Sequence, residues 1–328
     1  MKKIIKLLAL ILITAFLATS CSGNFQAAMK KTEKTKYLYL VVGFDDAAEN
    51  TDVMFTAGFD KQLNTASFVQ IPRDTYCDLG ISQNKINQIY ASKRAAGVAP
   101  KEAMSYTVSV LSDLFGVVFD GYVGITTKAF RDVVDALGGV EIEISSDMDL
   151  SLDDGEILHL KSGKNIIYGK DAERFVRYRQ GYAMGDLSRI DAQKLFLNAV
   201  FKKAATGMSL PALISIASKV DSDIITNINL RKILSLAISS LRASGIPSTV
   251  FVTIPGEPAF SQNNLSYYVL NRKNAAEVVL KYMFSVYEFD RERRFTSDQE
   301  IGFNNIYNDI SSNYKEYRGD DINKVTIK

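Results

Sequence analysis

Cysteine and histidine are scarce in this chain of 328 residues, which contains two cysteines and one histidine. Cys21 and Cys77 cannot build a disulfide framework, and they lack the spacing of metal ligands. A Ser-His-Asp or Cys-His mechanism would depend on His159 alone, and this residue lies outside every charged motif of the chain. The sequence therefore disfavours disulfide scaffolds, cysteine-based metal sites and histidine-based catalysis.

The chain also lacks an excess of positive charge. Its net charge is +2, and without the three lysines of residues 1–20 the remainder carries −1. General nucleic-acid binding depends on clustered positive charge. We therefore expect no nucleic-acid partner.

The N-terminus has the pattern of a secretion signal. Lysines precede an apolar run over Leu7–Leu17, which is short for a membrane span and suits a signal peptide. The following "LATSC" resembles the bacterial lipobox, in which the cysteine is lipidated. We predict a signal peptide over 1–20 and a lipidated Cys21 with a flexible tether over 21–36; an uncleaved signal anchor is the alternative. Both place the remainder outside the cytoplasm, tethered to the outer face of the membrane.

Strand and helix patterns alternate from Tyr37 onward. "YLYLVVGFD" and "TASFVQIP" are typical of strands, whereas "KAFRDVVDALGG" and "DLSRIDAQKLFLNAVFKKA" have helical spacing. This interleaving predicts an α/β or α+β domain over 37–290, with helices on both faces of a sheet. The polar, weakly patterned residues 291–328 are predicted to be a loosely packed extension.

Carboxylates and arginines cluster at the predicted element ends. Asp45 and Asp52 flank a short loop between two strands, where two carboxylates can share Mg²⁺ with phosphate oxygens; ordinary turn aspartates are the alternative. Arg73 and Asp74 directly follow a strand that ends at Pro72. This pair is either a plain strand exit or a charged site at the mouth of the core.

A third cluster lies in "RFVRYRQGYAMGDLSRIDAQ". Arg189 and Gln193 are four residues apart in a predicted helix and share a face. Arg177 and Arg179 share a face if the chain there is extended. Such arginines suit phosphate or pyrophosphate, because the guanidinium group binds these oxygens bidentately; a solvated basic face is the alternative.

In this order the motifs resemble the LytR-CpsA-Psr family of bacterial cell-wall enzymes. The resemblance rests on "GFDDAAENTDVMF", "SFVQIPRDTYCDL", "KINQIYA", "FDGYVGITTKAFRDVVDALGGVEIEI" and "LKSGKNIIYGKDAERFVRYRQGYAMGDLSRIDAQ". It implies a central mixed sheet with helices on both faces, enclosing a long apolar lipid cavity. It also implies transfer of a glycopolymer from a polyprenyl-pyrophosphate carrier to a peptidoglycan sugar hydroxyl.

The resemblance assigns roles residue by residue. Asp45 and Asp52 match metal-proximal aspartates, so it implies Mg²⁺ as cofactor. Pyrophosphate binding is implied for five residues: Arg73, Arg177, Arg179, Arg189 and Gln193. An aspartate would act as general base, with Asp52 ahead of Asp74.

The chain departs from the family pattern at two points. "GFDDAAEN" lacks a nearby arginine, and Ala192 stands where a second arginine usually precedes the glutamine. One cationic contact is therefore expected to be missing. Two other functions remain open, namely hydrolysis of a polyprenyl pyrophosphate and non-catalytic binding of a polyprenyl lipid or the cell wall.

Overall fold

The computed structural model describes residues 34–45, 50–151, 155–178, 186–207, 223–229, 245–261, 264–285 and 316–318. The predicted signal peptide, Cys21, Arg179 and most of the predicted extension lie outside these residues. Among the described residues, no helix combines the length and apolar character needed to cross a bilayer.

Thirteen strands are described. They are β1 Lys36–Phe44, β2 Thr51–Asp60, β3 Thr65–Gln70, β4 Gly121–Ile125, β5 Val140–Ile144, β6 Met148–Ser151, β7 Ile157–Leu160, β8 Gly163–Ile167, β9 Ile224–Thr226, β10 Ser248–Thr253, β11 Gly256–Phe260, β12 Ser266–Leu270 and β13 Glu316–Arg318.

Six helices are described. They are α1 Gln88–Ala95, α2 Pro100–Phe115, α3 Thr127–Ala136, α4 Gly169–Arg177, α5 Asp186–Gly207 and α6 Arg272–Tyr282. Local sequence explains several boundaries: the Thr126 hydroxyl accepts the amide of Ala129 at the start of α3, and Gly138 and Gly139 adopt positive φ after its end.

The main sheet has seven strands in the order β13-β10-β3-β2-β1-β4-β9. β2 is antiparallel to both β1 and β3, whereas β4 is parallel to β1 and β10 is parallel to β3. The predicted mixed sheet is thereby confirmed. Three two-stranded sheets, β5-β8, β6-β7 and β11-β12, stand apart from it.

Helices cover both faces of the main sheet, as predicted. On one face, Phe55 and Phe68 belong to an apolar core with side chains from α3, α4 and α5. On the other face, Leu40 and Val42 belong to a core with side chains from α1, α2 and α6. β1 is an interior strand of this sheet, and its residues Leu38–Val42 are all buried, which explains its continuous apolar run.

Glu316–Arg318 lie in the segment predicted to be a loose extension, yet they form the edge strand β13 beside β10. The Glu316 carboxylate accepts hydrogen bonds from Lys281 at 2.9 Å and from Arg318 at 3.0 Å. Burial alone would raise the pKa of Glu316, but the donors of Tyr282, Lys281 and Arg318 outweigh it and lower the pKa to about 2. These three residues are therefore part of the sheet.

Candidate functional site

One end of the main sheet collects the ends of several strands. Because β4 is parallel to β1, the two strands end together at Ile125 and Phe44. β2 begins at this end, since Thr51 pairs with Phe44, and β3 ends nearby, where Gln70 pairs with Phe55. Residues that follow or precede these strand ends are brought together here.

Arg73 leaves β3 through a tight turn and meets β2. The Thr75 hydroxyl and amide both donate to the Pro72 carbonyl, at 2.6 and 3.0 Å, which fixes the turn. Arg73 Nη1 then donates to Asp52 Oδ1 at 2.5 Å, and both side chains are only about a quarter exposed. The predicted charged residues of β2 and of the β3 exit therefore form one ion pair.

Asp74 lies behind this pair. Its Oδ2 is 3.6 Å from Arg73 Nε, and its Oδ1 accepts a hydrogen bond from Lys85 Nζ at 2.9 Å. The Asp74 carboxylate therefore lies between Arg73 and Lys85 within ion-pair range of both. Its catalytic role stays a prediction.

A second charged cluster lies on α3 and α4. Glu173 Oε1 accepts from Arg177 Nη1 at 2.7 Å, and Glu173 Oε2 accepts from Arg131 Nη1 at 2.8 Å. Glu173 is buried, whereas the side chains of Arg131 and Arg177 are 40% and 41% exposed. One carboxylate therefore holds two guanidinium groups side by side.

Gln193 connects three elements. Its Oε1 accepts from Gln70 Nε2 of β3, and its Nε2 donates to the Val176 carbonyl of α4, both at 3.0 Å. These bonds join the sheet, α4 and α5 at the same end of the molecule. The side-chain amides of Gln70 and Gln193 therefore connect β3, α4 and α5 at the candidate site.

Some of these groups line a mainly apolar cavity of about 130 Å³, which lies between the sheet and helices α3, α4 and α5. Its polar lining residues include Asp52, Glu173, Arg177, Gln70 and Gln193. Most of the other lining residues are apolar: Val41, Gly43, Phe44, Val53, Phe55, Ile125, Phe130, Val176, Phe196, Leu197 and Val200. An apolar space thus lies directly beside charged and polar side chains.

The carboxylates of Asp45 and Asp52 at the strand ends are the candidate magnesium ligands. Asp45 directly follows β1, and its Oδ2 accepts from Asn50 Nδ2 at 2.9 Å. Among the described residues, no three His, Cys, Asp or Glu side chains are grouped to hold a metal ion. Mg²⁺ binds through one or two carboxylates when phosphate oxygens complete its ligands. The donor chemistry of Asp45 and Asp52 fits that arrangement, and the cofactor stays a prediction.

The other predicted anion-binding residues differ in their placement. Arg177 is the last residue of α4, and the backbone becomes extended at Tyr178. Arg179 lies outside the described residues, so the pairing suggested for Arg177 and Arg179 stays a prediction. Arg189 is buried in α5 and is not among the described residues that line the cavity. Ala192 is also fully buried, within the apolar core.

Sequence reasoning missed Glu173 and Arg131. The spacing of Glu173 and Arg177 in a helix was a usable signal, because residues four apart share a face. No local pattern pointed to Arg131, which is 42 residues from Glu173 in the chain. His159, by contrast, lies on an exposed strand, where Nδ1 is 2.7 Å from Asp149 Oδ1.

Known proteins are similar to this chain in sequence and in fold. The chain is 26% identical over 259 residues to the polyisoprenyl-teichoic acid–peptidoglycan teichoic acid transferase TagV of Bacillus subtilis; the match covers 75% of this chain and 63% of the relative. It is 23% identical over 249 residues to TagU of Bacillus anthracis, which bears the same activity in its name, and here the match covers 75% and 78%.

Solved structures agree on the fold. The crystal structure of B. subtilis TagV superposes with a TM-score of 0.63 at 24% identity, over 78% of this chain and 98% of that one. The model of the LytR_cpsA_psr family matches residues 18–282, which is most of the chain. On this match, the protein belongs to the LytR-CpsA-Psr family.

Proposed function

We propose that the protein transfers a glycopolymer from a polyprenyl-pyrophosphate carrier to a peptidoglycan sugar hydroxyl and releases polyprenyl phosphate. The observation that carries this proposal is the apolar cavity whose lining includes Asp52, Arg177 and Gln193. The names of the TagV and TagU relatives, both teichoic acid transferases, support the same reaction class.

The polyprenyl chain would occupy the cavity, because apolar burial there gains roughly 25 cal/mol per Å². The pyrophosphate would remain at the cavity opening beside Arg73 and Arg177. Phosphate groups are strong partners for guanidinium, which offers several donors in one plane. Cavity and cations together would select a ligand that is apolar at one end and doubly phosphorylated at the other.

The acceptor hydroxyl oxygen would form a bond to the sugar-linked phosphorus. The bond from this phosphorus to the bridging oxygen would break, and polyprenyl phosphate would leave with that oxygen. Asp52 would take the hydroxyl proton, since its carboxylate lines the cavity. Arg73 and Arg177 would stabilise the charge that develops on the phosphate oxygens and the leaving group.

Mg²⁺ bound by Asp45 and Asp52 would supply further neutralisation of the pyrophosphate charge. Both residues lie next to the ends of adjacent strands, so the sheet would keep their carboxylates in register. Magnesium dependence is part of the proposal and is tested by transfer in the presence of a chelator.

We also propose that the chain is anchored to the membrane through its N-terminal region. A lipid on Cys21 would tether the chain to the outer face of the cytoplasmic membrane, where the lipid-linked donor and peptidoglycan meet. Mass measurement of the mature N-terminus distinguishes a lipidated cysteine from an uncleaved signal anchor.

The decisive experiment is native mass spectrometry of the full chain released from detergent micelles, followed by a transfer assay. A bound polyprenyl phosphate or pyrophosphate, with glycopolymer appearing on peptidoglycan, is expected. Free glycopolymer in solution would indicate hydrolysis instead. Binding without any product would indicate a non-catalytic lipid-binding protein, and an absence of binding would overturn the proposal.

A further inference from the structure

Helices α3 and α4 approach each other closely at one glycine. A Cβ atom on Gly169 would lie 2.4 Å from the Arg131 carbonyl oxygen, which is too short for any other residue. The Gly169 amide also donates to Asp135 Oδ1 of α3 at 2.7 Å. The backbones are thus locked together, and the next turn of α4 brings Glu173 opposite Arg131.

Glu173 is 7% exposed, and its carboxylate lies between two cations. A buried carboxylate is costly without partners, and here one oxygen binds Arg131 while the other binds Arg177. Two arginines and one carboxylate leave one positive charge at this place. One arginine is enough to neutralise the Glu173 carboxylate, so the charge of the second arginine is in excess.

We propose that Arg131 is a further phosphate-binding residue and that Glu173 is the positioning residue that holds it beside Arg177. This inference rests on the proposed function, because it concerns the same lipid-linked pyrophosphate. Arg131 is 40% exposed, and its guanidinium group has five donors, of which Nη1 contacts Glu173.

The placement of the two arginines assigns them to different phosphates. Arg177 lines the cavity, whereas Arg131 does not and is joined to the lining through Glu173. With the apolar tail in the cavity, the tail-linked phosphate lies beside Arg177 and the outer phosphate lies nearer Arg131. Arg131 therefore distinguishes the pyrophosphate substrate from the monophosphate product, which has no outer phosphate.

The test measures calorimetric binding of farnesyl pyrophosphate and farnesyl monophosphate to the full chain in detergent. We expect Arg131→Ala to weaken pyrophosphate binding about tenfold or more, the range of a lost charge-assisted bond, and to leave monophosphate binding unchanged. Arg131→Lys keeps the charge and should recover part of the difference. Equal pyrophosphate affinity in wild type and Arg131→Ala would overturn the inference and leave the proposed function intact.

Lys128→Ala is the matched control. Lys128 lies one turn earlier on α3 and pairs with Asp132 and Asp223, so its removal also deletes one positive charge. Wild-type affinities are expected for this variant. If Lys128→Ala loses as much pyrophosphate affinity as Arg131→Ala, the loss would come from the change in net charge and not from a specific contact of Arg131. That result would overturn the inference.

Glu173→Gln tests the positioning role. In glutamine an NH₂ donor replaces one of the two carboxylate oxygens and cannot accept from the guanidinium group that faces it, so one of the two arginines loses its bond. We expect weaker pyrophosphate binding although the site has gained positive charge. Equal or tighter binding would refute positioning by Glu173, and failure of wild type to bind either farnesyl compound would instead refute the proposed function itself.

Discussion

At the scale of single residues, the site is built from arginines that are already paired. Asp52 holds Arg73 at 2.5 Å, and Glu173 holds Arg177 and Arg131 at 2.7 and 2.8 Å. Such ion pairs fix the guanidinium groups before a ligand arrives, which reduces the reorganisation that binding requires. In the proposed anion site, the carboxylates would therefore act by positioning the arginines.

Arg73→Ala is expected to reduce glycopolymer transfer by about 100-fold or more, because a charge-assisted bond to phosphate contributes about 1.5–3 kcal/mol and Asp52 also loses its partner. The measurement is the transfer rate with a lipid-linked donor. Lys164→Ala, which removes an exposed lysine paired with Glu141, is the control and should behave as wild type. Wild-type transfer by Arg73→Ala would exclude Arg73 from the reaction.

Ala192 stands where the family pattern usually has an arginine, so one cationic contact is expected to be missing. The alanine side chain is fully buried in the core formed with α3, α4 and α5. Arg177 of α4 supplies positive charge in the cavity lining, and Arg131 of α3 adjoins it through Glu173.

At the scale of elements, the contact between α3 and α4 positions the second charged cluster. Gly169→Ala is expected to lower the free energy of unfolding by about 1–3 kcal/mol, because the new methyl group would force two backbones apart. Thermal unfolding measures the effect. The exposed neighbour Lys170→Ala is the control, and equal melting temperatures for the two variants would contradict the close packing.

The edge strand β13 allows a second prediction at this scale, which concerns how stability depends on pH. Because the pKa of Glu316 is about 2 in the folded protein and 4.5 ordinarily, its carboxylate stabilises the folded state at neutral pH. This contribution is fully present above about pH 4.5 and disappears as the pH falls toward 2.

The measurement compares the melting temperatures of wild type and Glu316→Gln between pH 7 and pH 3. Wild type is expected to be the more stable at pH 7, and the difference should shrink below about pH 4.5. A difference that does not vary with pH would show that the Glu316 charge does not stabilise the contact between β13 and α6.

At the scale of the whole molecule, the mixed sheet separates two cores, and the cavity lies on the side of α3, α4 and α5. Parallel pairing of β1 with β4 and of β3 with β10 places the C-terminal ends of these four strands at one edge of the sheet. The apolar cavity meets charged and polar side chains at this edge.

Leu197→Trp is expected to weaken farnesyl pyrophosphate binding about tenfold or more, because the larger ring fills space in the cavity and reduces the apolar area that the tail can bury. Inorganic pyrophosphate, which has no tail, should bind as in wild type. Calorimetry of both ligands makes the comparison. Leu280→Trp, on the exposed face of α6, is the control; unchanged farnesyl pyrophosphate binding in Leu197→Trp would place the tail elsewhere.

Long elements with regular apolar spacing were predictable. α3 and α5 begin and end within a few residues of their patterns, since an amphipathic helix carries its signal over several turns. The short strands β6, β7, β8, β9, β11 and β13 were not predicted. Three to five residues carry too little periodicity, and these strands depend on partners that are distant or belong to small hairpins.

The sequence by itself determined the order of the elements, the apolar run of β1, the family, and the residues Asp52, Arg73, Arg177 and Gln193 as candidates. Only the tertiary structure decided their partners. Arg73 meets Asp52 across 21 residues, Arg131 meets Glu173 across 42, and Gln70 meets Gln193 across 123. Local patterns record propensity and amphipathicity, which act within a few turns or one strand. Pairs between distant segments depend on sheet register and helix packing, which exist only once the whole chain has folded.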